Sequence, residues 1–563
     1  METDKADELV SLAHRLRQQG RFAEAKSMAE RALELRSDDA AAWFNFGAAL
    51  GGLGELERAE AAYRRALQCS PRYPEAWSNL GGVLGARGAT EEQLAAYRNA
   101  LDANPRLAAV WSNLANALCN ARRYAEAESA SRRAIEIDRG FVAGWVNLGR
   151  ALNELKRPAE AKAACARAVE LAPHLAEAWA GYGNALVAMR EFSGAIEAYR
   201  KAIAHRPQSS EFHTNLGIAL RRIGCDAEGH EELRAALELD PANQFASWNF
   251  ALSLLERGEL AEGWTRYEAR WSRPDSPRRF KLKGGAPLTG QVFLWGEQGV
   301  GDHILYGGMA AEVAQSGCDV TLETDARLVS LFSRSFPCVK VVAQTDPPQV
   351  ALDEFDHVLA LGSLGRFLRS SFDAFPRHSG YLVADATRRD RYRELLLGSA
   401  PRNSLIVGIA WRSSNPELGN EKSAPLRVWA PVLTLPGVAF VSLQYGDVTE
   451  DRREAERRFG TLIATLPELD VFADLDGLAA LHAACDFILT TSTINAHFAG
   501  ALGQPGCVLL PQRIGTLWYW FGEREDSPWY PSLRLVRQTR DGDWSGAMDL
   551  AARILRARVA RAS

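Results

Sequence analysis

The chain has 563 residues, a formal net charge of −4 and 47% hydrophobic residues. This length exceeds what one hydrophobic core usually organises, so two or more domains are expected. The composition is globular, and the small net charge indicates neither a nucleic-acid nor a membrane partner. No apolar run is long enough for membrane insertion, and the charged start METDKADELV lacks a signal-peptide core. The eight cysteines lack metal-ligand spacing, so we expect free thiols and a cytoplasmic location.

A 34-residue repeat dominates the first half of the chain. Tryptophan recurs with this period, at Trp43, Trp77, Trp111, Trp145 and Trp179. A small residue follows four positions later, and a proline ends most units. Small residues let paired helices approach closely, and proline ends a helix, so the rhythm predicts stacked helix pairs. The pattern resembles the tetratricopeptide repeat, with about eight units over residues 6–272 and degenerate units at both ends.

Asparagine recurs with the same period, two positions after the residue that opens each unit. These residues are Asn45, Asn79, Asn113, Asn147, Asn215 and Asn249. Two residues turn a helix by about 200°, so we expect these amides to face away from the tryptophans and to line the concave surface. The tryptophans themselves are expected to pack in the core. The array resembles the asparagine ladder of the eukaryotic O-linked N-acetylglucosamine transferase, which implies a protein acceptor. The alternative is a solvated consensus residue that binds nothing.

A different pattern begins after a segment rich in proline, glycine and basic residues, which we interpret as a linker at residues 273–290. Short apolar strands are predicted at 291–295, 318–323, 339–343 and 357–361, and a second series at 404–411, 438–444, 487–491 and 507–511. Helices separate the strands, which predicts parallel sheets. We expect two Rossmann-like lobes, residues 291–395 and 396–563, facing each other across a cleft. Ligands of such sheets lie beyond the carboxyl ends of the strands.

Candidate ligand-binding residues follow several of these strands. The first loop contains Gly299 and Gly301, which let the backbone approach a ligand, and a helix begins after it. The remaining candidates follow strands of the second lobe: Arg412, Ser413, Lys422, Gln444, Thr491, Ser492, Thr493, Asn495 and His497. The hydroxyls and free N–H groups of the run from Thr491 suit a phosphate, whose charge Arg412 and Lys422 could offset.

Five motifs carry a resemblance to a known family: GEQGVGD, VGIAWRSS, FVSLQYG, AHFAGALGQP and DSPWYPSLRLVRQ. Residues 291–557 resemble the lipopolysaccharide heptosyltransferases, which have the metal-independent GT-B fold. They are most similar to the branch fused to tetratricopeptide repeats, which includes flagellin glycosyltransferases. The resemblance implies a nucleotide-sugar donor, no metal or other cofactor, and flagellin as the partner. For the flagellin branch it implies a nonulosonic acid delivered as a CMP-sugar.

The resemblance also implies roles for individual residues. Asp302 matches the family's catalytic aspartate, a general base that takes the proton from the acceptor hydroxyl; the alternative is that it caps the following helix. Lys422 matches a phosphate-contacting lysine, with a solvated loop lysine as the alternative. His497 matches the family histidine, with a buried, hydrogen-bonded histidine as the alternative. Ser492 and Ile494 replace the family's aspartate and glycine, which argues against an ADP-heptose donor.

Three hypotheses follow. The first is a protein O-glycosyltransferase that modifies Ser or Thr of flagellin held by the repeats. The second is a non-catalytic scaffold with a degenerate GT-B domain, and the third is a lipopolysaccharide or glycan-assembling transferase. The intact Asp302 favours an enzyme, whereas Ser492 and Ile494 favour the scaffold. Asp474 and Asp476 form a DxD sequence that we interpret as a loop or helix cap rather than a metal site.

Overall fold

The computed structural model describes residues 2–272, 280–415 and 418–562. The chain divides into two compact units, Met1–Ala219 and Leu220–Ser563. Residues 273–279 of the predicted linker lie outside the described ranges, whereas residues 280–290 belong to the second unit. There Lys283 forms an antiparallel bridge with Val358, and the Phe280 ring packs on Phe293. This part of the predicted linker is therefore fastened to the edge of a sheet.

The first unit is entirely helical within its described residues, as the repeat predicts. Its helices are α1 Glu2–Gln18, α2 Phe22–Leu35, α3 Ala40–Gly52, α4 Leu56–Cys69, α5 Pro74–Ala86, α6 Thr90–Ala103, α7 Ala108–Asn120, α8 Tyr124–Ile137, α9 Val142–Glu154, α10 Pro158–Leu171, α11 Ala176–Ala188 and α12 Phe192–His205, followed by α13 Ser210–Arg222, which crosses the unit boundary. Each odd-numbered helix up to α11 packs against the next helix, so the unit is a series of helix pairs. The second helix of a pair also contacts the first helix of the next, and this stacking buries a continuous core.

Glycine allows the two helices of a pair to approach closely. A Cβ atom on Gly81 would lie 2.7 Å from Cε1 of Tyr97, and one on Gly183 would lie 2.7 Å from Cε1 of Tyr199. Each tyrosine ring occupies the space into which a larger side chain at the glycine position would project. In these units the small residue is therefore the site on which the aromatic ring of the partner helix packs, whereas Gly149 faces the Cys165 sulfur in the same way.

The repeat tryptophans are half-buried and have a second function besides packing. Each indole Nε1–H donates to the backbone carbonyl six residues earlier, at 2.8–2.9 Å: Trp43 to Ser37, Trp77 to Pro71, Trp111 to Pro105, Trp145 to Arg139 and Trp179 to Pro173. The acceptor lies in the turn between two helix pairs. The tryptophans therefore satisfy a turn carbonyl and fasten successive units together, a role that the packing expectation did not include.

The second unit contains two fully parallel sheets, which confirms the predicted α/β class. The strands are β1 Gln291–Trp295, β2 Asp319–Thr324, β3 Val339–Ala343, β4 His357–Ala360, β5 Leu405–Ala410, β6 Val438–Ser442, β7 Ile463–Ala464, β8 Phe487–Thr491, β9 Gly506–Leu510 and β10 Leu533–Arg537. Their orders are β3-β2-β1-β4 and β10-β9-β8-β5-β6-β7. All eight predicted strands are present within about two residues, but β7 and β10 were not predicted.

The helices of the second unit surround these sheets. They are α14 Asp226–Leu239, α15 Gln244–Arg257, α16 Leu260–Tyr267, α17 Val300–Gln315, α18 Val329–Ser335, α19 Gly365–Leu368, α20 Ala386–Ser399, α21 Gly419–Lys422, α22 Ala430–Leu433, α23 Thr449–Phe459, α24 Leu475–Ala484, α25 Ile494–Ala501 and α26 Ser545–Ala562. One buried cluster includes Trp264 of α16, Ile304 of α17 and Ile488 of β8. The last helix pair therefore shares a core with both sheets.

A pair of neighbouring glycines tests the packing of the first unit. Gly81→Ala should destabilise the protein by about 1–3 kcal/mol, because the new Cβ atom meets the Tyr97 ring. Gly82 on the same helix is exposed, and nothing lies within 4 Å of an added Cβ atom. Gly82→Ala should therefore stabilise by about 0.5–1 kcal/mol through helix propensity. Urea unfolding of both variants measures the difference, and equal effects would contradict this packing.

Candidate functional site

The loop after β1 is held tightly at both of its ends. A Cβ atom on Gly296 would lie 2.3 Å from Cε1 of His303, so the imidazole packs directly on this glycine. His303 Nδ1 lies 2.9 Å from Oγ1 of Thr324 and accepts the Asp325 N–H at 3.3 Å. The close approach explains why the loop needs glycine here and why α17 begins so soon after the strand.

Asp302 lies in the first turn of α17 and is partly exposed. Its Oδ2 accepts the Gly299 N–H at 3.3 Å, so the carboxylate does cap the helix, the alternative that the sequence left open. Burial, and then the charge of Glu297, raise its pKa to about 7, although the Gly299 N–H and Lys422 act in the opposite direction. A carboxyl group with a pKa near neutrality can accept a proton from a substrate, so capping and base catalysis are compatible.

Four buried tyrosines interact electrostatically with Asp302: Tyr267, Tyr306, Tyr519 and Tyr530. Burial raises the pKa of Tyr267 to about 12 and the pKa values of the other three well above 10. The phenols therefore stay protonated, and these four neighbours of Asp302 are uncharged aromatic side chains.

Lys422 ends α21 and is only 7% exposed. Burial lowers its pKa, and the charge of Asp302 opposes that shift. No hydrogen bond or ion pair joins its ammonium to any residue of the described ranges. A buried ammonium without a direct partner among the described residues favours an anionic ligand, so the predicted phosphate contact fits this placement.

The other candidates after β5 and β6 are occupied by local contacts. Gln444 Oε1 accepts the N–H groups of Trp411 at 3.1 Å and Arg412 at 2.9 Å, and so shapes the backbone of this loop. The Arg412 guanidinium pairs with Asp451 at 2.9 Å. The Ser413 N–H donates to Ser423 Oγ at 2.9 Å, which holds the loop beside the end of α21. Arg412 is thus tied to α23, whereas Ser413 is close to Lys422 in the fold.

The turn from β8 into α25 contains the remaining hydroxyl and amide candidates. Thr493 is the N-cap residue of α25, but its side chain makes no capping bond. Thr491 Oγ1 and Asn495 Oδ1 are buried without a hydrogen-bond partner in the described ranges. Ser492 Oγ accepts the indole N–H of Trp520 at 2.9 Å. Thr491 and Asn495 therefore keep unused acceptors near a helix N-terminus, whereas one acceptor site of Ser492 is taken by Trp520.

His497 lies on α25 and packs against the start of α17. A Cβ atom on Gly301 would lie 3.1 Å from Cδ2 of His497. Its Nδ1 lies 3.0 Å from the Tyr530 hydroxyl, and the ring stacks on Trp520. Burial, and then Lys422, lower its pKa to about 3, so it is neutral. His497 is therefore buried and hydrogen-bonded, as the alternative in the sequence analysis has it. Its packing on Gly301 places α25 beside the first turn of α17, which contains Asp302.

Two groups of residues around Asp302 do not follow from the sequence analysis. Tyr267 and Arg270 come from the end of the helical repeats, which were assigned to another domain. Tyr519 and Trp520 come from the aromatic run at 518–521, in the loop after β9. That run of four aromatic residues was a visible signal, because so many large rings in a loop require a packing partner.

Two of the predicted groove asparagines are buried. Asn45 and Asn249 are 3% and 8% exposed. Each side chain donates to the carbonyl four residues earlier, Asn45 to Ala41 at 3.0 Å and Asn249 to Phe245 at 2.8 Å. Their predicted exposure on the concave surface is wrong, because the amide folds back on its own helix.

The other four asparagines are more accessible. Asn113 is exposed, and Asn79, Asn147 and Asn215 are half-buried. The half-buried amides donate to earlier helices, Asn79 to the Tyr63 hydroxyl, Asn147 to the Ser112 carbonyl and Asn215 to Asn184 Oδ1. Each therefore links neighbouring helices and retains part of its hydrogen-bonding capacity.

Asp474 is a helix cap, as the sequence analysis interpreted it, because its carboxylate accepts the Gly477 N–H at the start of α24.

Comparisons with known proteins identify the helical part of the chain. Residues 10–74, 46–108 and 112–176 match one tetratricopeptide-repeat family, and residues 152–217 match a second. Residues 10–217 therefore contain a tetratricopeptide-repeat array, and the second unit is an α/β structure with parallel sheets. None of the helices in the described ranges is both long and apolar enough to cross a membrane.

The chain is 35% identical over 335 residues to Protein FlbA of Caulobacter vibrioides, and the alignment covers 54% of each chain. It thus spans about half the length of this curated relative. A tetratricopeptide repeat protein from Parabacteroides merdae is 14% identical, with a TM-score of 0.38, over 45% of this chain and 99% of the other. The Cut9–Hcn1 hetero-tetramer of APC/C is 15% identical, with a TM-score of 0.39, over 43% of this chain and 48% of the other.

Three buried histidines predict how stability depends on pH. Burial lowers the pKa of His303 and His482 to about 4 and that of His497 to about 3. Below pH 6.5 the unfolded chain binds protons that the native histidines do not, so the free energy of unfolding falls as pH falls, by up to about 4 kcal/mol per pH unit. Urea titrations at several pH values between 7 and 5 measure this slope.

A variant separates this effect from the titration of carboxylates. His303→Asn retains a hydrogen-bond acceptor but removes one of the three proton-binding groups. Its slope should be smaller by about 1.4 kcal/mol per pH unit, whatever its stability at pH 7. An unchanged slope would show that His303 does not contribute.

Proposed function

We propose that the chain is a metal-independent GT-B glycosyltransferase that transfers a sugar from a nucleotide-sugar to Ser or Thr of a protein, with flagellin as the acceptor. The observation that supports this proposal most strongly is the position of Asp302 together with its raised pKa. Its partly exposed carboxyl group has a pKa of about 7 and lies at the carboxyl end of the first sheet. Lys422 and the start of α25 follow strands of the second sheet and lie close to it. A proton acceptor thus faces groups that suit a leaving phosphate.

In the proposed reaction Asp302 acts as the general base. The acceptor hydroxyl oxygen attacks the anomeric carbon and forms the new glycosidic bond, while its proton passes to the Asp302 carboxylate. The bond between the anomeric carbon and the phosphate oxygen breaks, and its electron pair leaves with the nucleotide. The ammonium of Lys422 and the N–H groups at the start of α25 stabilise the charge that develops on that phosphate.

The acceptor assignment rests on two supports. Tetratricopeptide repeats mediate contacts with other proteins, and the array carries accessible amides at Asn79, Asn113, Asn147 and Asn215. The motifs of residues 291–557 resemble those of flagellin glycosyltransferases, which points to flagellin and to a CMP-linked nonulosonic acid.

One observation favours a second function, a scaffold without catalysis. The Ser492 hydroxyl accepts a hydrogen bond from the Trp520 indole, and Ile494 stands where the heptosyltransferases have glycine. A donor that contacts this turn would have to share Ser492 with Trp520. In the scaffold, the repeats would bind flagellin and the α/β unit would bind a nucleotide or a partner without transfer.

The transferase is tested by the intact mass of flagellin co-expressed with this protein and a nucleotide-sugar pathway. The wild type should add a sugar-sized mass, and Asp302→Asn should reduce that modification by a factor on the order of 100 to 10,000, since it removes the base. Asp353→Asn is the matched control, because Asp353 is an exposed aspartate of the same unit. Flagellin that binds the wild type but gains no mass would favour the scaffold. Transfer to a glycan or lipid without any protein would favour the glycan-assembling transferase.

The pH dependence provides a separate test of the base. Only the ionised Asp302 accepts a proton, so the initial rate of transfer should rise with pH through about 7. For one ionisation at that pKa the rate at pH 8 is about tenfold the rate at pH 6. Purified enzyme, flagellin and donor, assayed by mass spectrometry, give the profile. A rate independent of pH over this range would contradict the assignment.

A further inference from the structure

Arg270 and Glu297 form a buried ion pair between the end of the helical repeats and the loop after β1. The guanidinium Nε and Nη2 donate to the two carboxylate oxygens, each at 2.8 Å. The two residues are 4% and 2% exposed. Two parallel charge-assisted bonds set both the distance and the orientation of the pair, so this contact is directional as well as strong.

The remaining hydrogen-bonding groups of the pair are also satisfied. Arg270 Nη1 donates to Glu268 Oε1 at 2.7 Å, and Nη2 donates to Ser363 Oγ at 3.0 Å. Glu297 Oε1 accepts the Gly362 N–H at 2.9 Å. The guanidinium also lies over the Tyr267 and Trp271 rings. Because the donors and acceptors of this buried network bond to one another, the network has a single favourable arrangement. Such a network can hold a loop in one conformation.

The ion pair acts on the loop that reaches Asp302. Gln298, next to Glu297, has φ +59°, a left-handed conformation that strains any residue with a Cβ atom. The next residue is Gly299, whose N–H bonds to Asp302. A strained loop keeps its conformation only where neighbouring contacts hold it, and the Glu297 contact with Arg270 lies directly beside the strain.

We propose that Arg270 is a positioning residue for Asp302, supplied by the terminal helical segment. It holds Glu297 in place, and through Glu297 it holds the loop 297–299 in the conformation in which the Gly299 N–H bonds to the Asp302 carboxylate. This inference rests on the proposed function in that it takes Asp302 as the base. It implies that the repeats do more than bind an acceptor, because their last segment completes the site.

Glu297 also acts on Asp302 through its charge. Among the residues that the structure describes, the charged and titratable groups that interact with Asp302 are Glu297, Lys422, Tyr267, Tyr306, Tyr519 and Tyr530. The phenols are neutral, so Glu297 is the anion and Lys422 the cation of this set. Removal of the Glu297 charge should therefore favour ionisation of Asp302 at lower pH.

The first test measures the ionisation of Asp302 in the full-length protein. Infrared difference spectra over a pH titration contain a protonated-carboxyl band that Asp302→Asn lacks. In Glu297→Gln the midpoint of this band should fall by about one pH unit. Arg266→Gln is the control, because Arg266 forms an exposed ion pair with Glu262 on α16, and its midpoint should equal that of the wild type.

The second test measures transfer. Arg270→Lys retains the positive charge but cannot form the bidentate contact, so the loop loses its registration. Flagellin modification should fall by a factor on the order of 100, as for other small misplacements of a catalytic group, while the thermal unfolding transition stays cooperative. Arg266→Lys should modify flagellin as the wild type does.

A folded Glu297→Gln variant with the wild-type midpoint, or full activity of Arg270→Lys, would overturn the proposal. If Glu297→Gln does not fold because Arg270 is left as a lone buried charge, Arg270→Gln/Glu297→Gln replaces it. That double variant removes both charges of the pair, so neither partner is left as a lone buried charge. Its midpoint should also fall below that of the wild type, because Glu297 is a charge that raises the pKa of Asp302. Wild-type protein that modifies no flagellin would refute the proposed function alone, since the infrared midpoint still reports whether Glu297 and Arg270 act on Asp302.

Discussion

The contact between the start of α17 and α25 is the constraint on which the arrangement of the α/β unit depends. Gly301 allows the His497 ring to lie against α17, where even a methyl group would be 3.1 Å from Cδ2. His497 in turn bonds to Tyr530 and stacks on Trp520. Because α17 follows a strand of the first sheet and α25 a strand of the second, this packing brings the two sets of carboxyl-end loops together. Asp302 and the turn before α25 are neighbours for that reason.

Burial has opposite effects on the two charged residues of this site. It raises the pKa of Asp302 and lowers the pKa of Lys422, so both groups are displaced toward their neutral forms. Neither group has a direct ion-pair partner in the described ranges. A site of this kind gains most from a ligand that brings its own charge, because a phosphate near Lys422 would recover the free energy lost on desolvation. The aromatic residues around Asp302 increase this effect by keeping the surroundings weakly polar.

Periodic features of the sequence predicted the fold well, and the site only in part. The 34-residue period gave the helix pairs, and alternating apolar runs gave eight strands, since both patterns are local. The two missed strands lack such a pattern, because Ile463–Ala464 is very short and Leu533–Arg537 is interrupted by charge. The Arg270–Glu297 pair could not be predicted, because the two residues meet only after the last repeat packs on the sheets. The burial of Asn45 depends likewise on a side-chain conformation that the repeat does not specify.

In the proposed donor site Lys422 contacts the phosphate of the nucleotide. Isothermal titration calorimetry of CMP, UDP, ADP and GDP with wild type, Lys422→Met and Lys340→Met tests it most directly, with Lys340 as an exposed lysine of the same unit. At least one nucleotide should bind the wild type and Lys340→Met with equal affinity. Its affinity for Lys422→Met should be lower by a factor of about 10 to 100, the loss of one charge-assisted hydrogen bond. No binding of any of the four nucleotides, or equal binding to Lys422→Met, would show that Lys422 does not hold a nucleotide phosphate.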